Sequence, residues 1–106
     1  YDFLLDWVAS NKNKFDSSAP EVYGAIENDA AFIIRTKFNE VMKENGFNPR
    51  SVLSALAKAK LIAQSKEGDI TRNDIKKRIG DLNTRCIALR LEGEWQSEWN
   101  NIELPL

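Results

Sequence analysis

Apolar positions along the chain fall into blocks with different periods, and each block predicts an element. Over residues 2–12, Phe3, Leu4, Trp7 and Val8 share one arc at helical spacing, while Asp2, Asp6 and Ser10 lie opposite. That pattern predicts a leading helix within residues 1–15. The turn-rich run "KFDSSAP" follows and closes at Pro20. Val22 to Ile26 and Ala31 to Arg35 are rich in β-branched and aromatic residues, with Glu27-Asn28-Asp29 between them. This reads as a β-hairpin. Gly24 inside its first strand marks a bulge or a close backbone approach.

The period then returns to helical. Thr36 can cap a helix through its hydroxyl. "KFNEVMKEN" sets Phe38, Val41 and Met42 against Lys37, Glu40, Lys43 and Glu44, and Gly46 supplies a C-terminal stop. A second helix starts at once, with Asn48 as cap and Pro49 at the first helical position. On its wheel Val52, Leu53, Ala55, Leu56 and Ala59 fall on one side. Arg50, Ser51, Ser54 and Lys58 gather within roughly 100° of arc on the other. Two helices joined by "NGFN" form a helix-turn-helix pattern, whose second helix enters the DNA major groove in proteins built this way.

Downstream, "KLIAQS" predicts a short strand and "KEGD" a turn. "ITRNDIKKRI" suits either a strand with a bulge or a short helix. "GDLN" predicts a further turn. "TRCIALRL" predicts a strand with Ile87, Leu89 and Leu91 on one face and Cys86 and Ala88 on the other. Helix, helix and basic hairpin is the order of a winged helix, with Lys76, Lys77, Arg78 and Arg85 on the wing. The fold class expected is therefore α+β, winged-helix-like, with an added N-terminal helix and β-hairpin. Residues 1–106 are expected to form one domain. Its parts are a leading helix in 1–15, the hairpin and winged helix in 20–91, and an acidic tail in 92–106. The tail, "EGEWQSEWNNIELPL", is apolar enough through Trp95, Trp99, Ile102 and Leu104 to pack back on the domain.

Charge changes this picture more than composition does. The chain has 106 residues with a net charge of −1. Between Asn48 and Leu91, however, Arg50, Lys58, Lys60, Lys66, Arg72, Lys76, Lys77, Arg78, Arg85 and Arg90 face only Glu67, Asp69, Asp74 and Asp81. The tail carries Glu92, Glu94, Glu98 and Glu103 and no base. Such asymmetry suits a half that faces nucleic acid, and equally a solvated helix face.

Several chemistries are excluded. With no histidine and only Cys86 as a thiol, histidine-based acid–base catalysis, an intrachain disulfide and cysteine-based metal sites fall away. The dispersed glycines form no phosphate loop of the GxxxxGK[ST] kind. No cofactor, metal or catalytic residue is expected. No apolar run approaches the roughly 18 residues of a membrane span. A lone cysteine fits a reduced, cytoplasmic setting. A start at Tyr1 rather than Met is what a fragment of a longer protein would show.

"DWVASNKNKF", the hairpin with Tyr23-Gly24-Ala25-Ile26, the Gly46-Phe47 turn, the Leu61-Ile62 junction and "TRCIALRL" together resemble one known family across residues 2–91. It is the C-terminal region of phage- and mobile-element-encoded helicase-like ATPases of unknown detailed function. Similar ATPases act as replicative helicases on staphylococcal cassette chromosomes. The resemblance implies a small domain following a P-loop ATPase core. It carries over no catalytic residue, because the ATPase motifs lie outside this chain. The wing departs in length, since "SKEGDITRNDIKKRIGDLN" exceeds a minimal wing.

The expected role is a non-catalytic accessory domain that binds duplex or forked DNA with little sequence choice, in contact with its parent ATPase domain and no membrane. Arg50, Ser51, Ser54, Lys58, Lys76, Lys77, Arg78 and Arg85 are the expected backbone contacts. The stripe offers no Asn or Gln to read adenine. The alternative is a protein-interaction module that docks on its ATPase core or a neighbouring subunit, with Trp7, the hairpin and the tail as contact surfaces.

Overall fold

The computed structural model describes residues 1–91 of the chain, so the expected packing of the acidic tail lies outside the described residues. Helix α1 spans Asp2–Ser10, and one 3-10 turn, Lys12–Lys14, extends it. Strands β1 (Gly24–Glu27) and β2 (Ala30–Ile34) form the first hairpin. Helices α2 (Arg35–Glu44) and α3 (Pro49–Lys58) follow, then β3 (Ser65–Glu67), β4 (Ile70–Arg72), β5 (Ile75–Ile79) and β6 (Leu82–Arg90).

Four strands make one antiparallel sheet in the order β1-β2-β6-β5, and β3-β4 is a separate hairpin. Register fixes which side chains share a face. Ala31 pairs with Leu89 and Ile33 with Ile87, and these turn to the helices. There they meet Leu4 and Val8 of α1, Phe38, Val41 and Met42 of α2, and Leu53 and Leu56 of α3. Phe38, Ile33, Ile87 and Leu89 are fully buried, each worth about 1.5–3 kcal/mol of apolar transfer. On the opposite face Ile34, Ile79 and Cys86 form a smaller cluster with Val22, Ala25 and Phe32. The sequence pattern for β6 thus holds on both faces.

The result is α+β and winged-helix-like. Strand β2 leads directly into the helix pair, and β5 and β6 return as the wing. Asn48 caps α3 by accepting from the Ser51 amide at 3.1 Å, with Pro49 in the first turn. At the end of α2, Gly46 has φ 80°, the Phe47 amide reaches back to the Met42 carbonyl at 2.8 Å, and the Gly46 amide reaches Lys43. That is the Schellman arrangement, and it sets the angle at which α3 departs. Lys60, with φ 60°, closes α3 the same way, its Leu61 amide bonding the Leu56 carbonyl at 2.9 Å.

Each hairpin turns on two residues, Asn28-Asp29, Gly68-Asp69 and Gly80-Asp81, with positive φ at the first of each pair. Such turns match the right-handed twist of the strands. Gly24 meets the expectation of close approach. A Cβ there would lie 1.8 Å from the Phe32 carbonyl oxygen.

Some expectations need correction. Thr36 does not cap α2, which begins one residue earlier at Arg35 and has no side-chain cap. The chain passes straight from β2 into the helix, so Ile34 occupies the cap position. The inner side of α3 carries Leu53 and Leu56 with Val52 and Ala57 at its margin, while Ala55 and Ala59 are exposed. "KLIAQS" is not one strand: Ile62 makes an isolated bridge to Leu89, and Ser65 opens β3. "ITRNDIKKRI" is neither a bulged strand nor a helix. It is two strands, β4 and β5, broken at Asn73-Asp74. The long wing is therefore two hairpins in series.

Candidate nucleic-acid interface

Helix α3 turns Arg50, Ser51, Ser54, Ala55 and Lys58 outward. Leu53 and Leu56 pin the opposite side, so burial of two leucines fixes the direction of the stripe. From Arg50 to Lys58 the stripe is roughly 12 Å long. Among the described residues neither Arg50 nor Lys58 has an acidic partner. Ala55, between the serines and Lys58, leaves room for a surface to approach the helix closely.

On the wing, register pairs Lys76 with Arg85 and Arg78 with Asn83, which puts these four on the sheet face that the helices cover elsewhere. Lys76 and Arg78 are exposed. Arg78 stays close to its own turn, donating from Nε to the Gly80 carbonyl at 3.1 Å, with Nη2 3.9 Å from Asp81. An open groove of about 510 Å³ runs along this wing between Lys76, Arg78, Asn83 and Arg85.

Two expected wing contacts are engaged within the fold. Lys77 points to the other face, with Nζ 2.6 Å from Glu27 and 4.6 Å above the Phe32 ring. Arg85 is bound to Asp74 at 2.9 Å and to Glu67.

Asp74 is a hub that sequence reasoning missed. Its side chain is 1% exposed and accepts from Arg35 at 2.6 Å, Arg72 at 2.9 Å and Arg85 at 2.9 Å. Ser65 Oγ also donates to its backbone carbonyl at 2.6 Å. Burial alone would raise the Asp74 pKa. Hydrogen bonds from Arg72, Arg35 and Arg85, with the Arg72 charge, outweigh burial and hold it below the ordinary carboxylate value. The break between β4 and β5 buries this carboxylate, which joins both hairpins to the start of α2. Two of its partners lie 39 and 11 residues away and leave no local signal; Arg72 lies two residues upstream, and with the shortage of acids in the basic run is the only hint.

Arg35, Arg50 and Arg72 line one pocket of about 250 Å³ between the start of α3 and the β4-β5 break. Of these only Arg50 was expected at the interface.

Cys86 is fully buried, and desolvation pushes its thiol up to about 12, far from a reactive thiolate. Among the described residues no group of three metal-ligating side chains comes together, and no helix is long and apolar enough to cross a membrane. Trp7 stacks on Tyr23 at 5.5 Å and meets Phe15 edge-on at 5.8 Å.

A family model described as the Cch helix turn helix domain matches residues 1–94. No curated protein and no solved structure matches the chain.

Proposed function

Because the chain belongs to the Cch helix turn helix domain family, a kind of domain that typically binds DNA and does no catalysis, we propose that it binds DNA through α3 and the wing. The observation that carries this reading is the outward stripe of Arg50, Ser51, Ser54 and Lys58, whose two cations lack any acidic partner among the described residues. Exposed Lys76 and Arg78 extend the positive surface along the wing. Contacts from arginine, lysine and serine to phosphate oxygens carry no sequence information, so binding through them is governed by charge and shape.

The finer reading is that the domain serves as the accessory domain of a mobile-element replication ATPase, working in the cytoplasm on duplex or forked DNA. Support for it comes from the resemblance of residues 2–91 to the C-terminal region of such ATPases. Docking on a protein through Trp7 draws less support, since that ring is already stacked against Tyr23 and Phe15.

Titration of the chain with single-stranded, duplex and forked DNA at several salt concentrations tests the proposal. Binding to duplex and forked DNA should exceed binding to single strands. It should weaken with salt at a logarithmic slope of about 0.9 per phosphate held. Absence of binding to every form at low salt would overturn it.

A further inference from the structure

The pocket beside α3 has the makings of a site in its own right. Three guanidiniums, Arg35, Arg50 and Arg72, surround it, and Asp74 is its one carboxylate. Asp74 is buried behind the arginines, so it orients them without being able to swing out and cover them. Arg35 gives Nη1 to Asp74 and a long 3.4 Å bond from Nε to Asn39. Arg72 gives Nε and, at 3.4 Å, Nη2. Each guanidinium has five N–H donors, so both keep donors in hand. Their side chains are 32% and 38% exposed, which leaves those edges open to a ligand. Arg50 has no acidic partner among the described residues and sits in the first turn of α3, where the helix dipole favours an anion. An oxyanion entering here meets guanidinium donors carried by α2, by β4 and by the first turn of α3.

Building on the DNA-binding reading, we infer that this pocket is a phosphate subsite that grips one backbone phosphate of DNA between the start of α3 and the β4-β5 break. The tetrahedral phosphate oxyanion is the ligand chemistry, and the DNA backbone is its source. The inserted hairpin β3-β4 then has a role. Its second strand delivers Arg72 to the point where the first turn of α3 would meet the backbone. The subsite fixes where α3 sits along the duplex and contributes no base reading.

The test follows the arginine Nε–H signals of the full chain by NMR, during titration with a short mixed-sequence duplex and separately with inorganic pyrophosphate. The duplex should shift the Arg35 and Arg72 signals, and pyrophosphate should shift the same pair more weakly. In parallel, Arg72→Gln keeps a donor toward Asp74 while removing the charge. It should weaken duplex binding about tenfold and lower the salt slope by about one, with duplex sequences affected alike. Duplex binding that leaves both signals unmoved overturns the subsite, as does a folded Arg72→Gln variant with an unaltered slope. The wild-type titration decides the matter even if that variant does not fold. If the duplex fails to bind at all, the DNA-binding reading fails and the DNA source falls with it. The pyrophosphate arm alone then tells a site for a small phosphorylated ligand, which shifts Arg35 and Arg72, from arginines with a purely structural role, which stay unmoved.

Discussion

The orientation of α3 decides which residues can touch DNA, and one pair of substitutions tests it. Leu56 is 4% exposed and lies in the main core with Leu53, Phe38 and Ile62. Leu56→Ala removes three carbons there. Their transfer to water costs about 2.4 kcal/mol at roughly 0.8 per carbon. A partly collapsed cavity adds more, for a total of about 3 kcal/mol within the usual 2–5 range. In a domain of this size that is a fall in Tm of roughly 12–24 °C. Ala55, its neighbour in sequence, is exposed. Ala55→Gln enlarges and polarises a side chain that faces solvent, so the change should stay within about 0.5 kcal/mol. Urea unfolding and thermal melts followed by circular dichroism measure both. A loss below about 1 kcal/mol for Leu56→Ala, or above about 1.5 for Ala55→Gln, would mean that α3 is rotated and its outward stripe misassigned.

Three further outcomes follow from the fold. Asp74 has a folded pKa below its ordinary 3.8, so its contribution to stability is complete above that value and disappears as pH falls through the folded value. Asp74→Asn should therefore be less stable than wild type at neutral pH, yet lose less stability between about pH 5 and pH 2 in acid titrations. Cys86, buried with its thiol at about 12, should resist iodoacetamide in the native protein and react fully in urea, and fast native labelling would contradict its placement. Gly24→Ala sets a methyl group against the Phe32 carbonyl and should destabilise by about 1–3 kcal/mol, whereas a neutral effect in a melt would remove the close approach from the account.

What can be read from the sequence divides along a physical line. Asn48-Pro49 and Gly46 announce the edges of α2 and α3, because capping is chemistry within a few residues. Alternation in "TRCIALRL" announces both faces of β6, because the period of a strand is a local property. The alanines of α3 are harder. A methyl side chain is tolerated in the core and in water alike, so Ala55 and Ala57 are told apart only by what α3 packs on. "ITRNDIKKRI" is ambiguous because its break is imposed by Asp74, whose arginines come from α2, β4 and β6. For the same reason Arg85 and Lys77 look like free wing cations until their partners Asp74, Glu67 and Glu27 are placed beside them. Charge counting finds a basic half. Which of its cations are uncompensated is a tertiary property.

The central claim is that the exposed face of α3 holds DNA, and charge reversal on that face tests it most directly. Arg50→Glu with Lys58→Glu changes two exposed side chains that carry no internal ion pair among the described residues. A duplex titration of this variant at several salt concentrations should show affinity down by at least about tenfold. The salt slope should be smaller by about one to two, because Lys58 no longer holds its phosphate and Arg50 no longer adds to the one shared with Arg35 and Arg72. Its melting curve should stay close to that of wild type. A folded variant with unchanged affinity and slope would contradict the account.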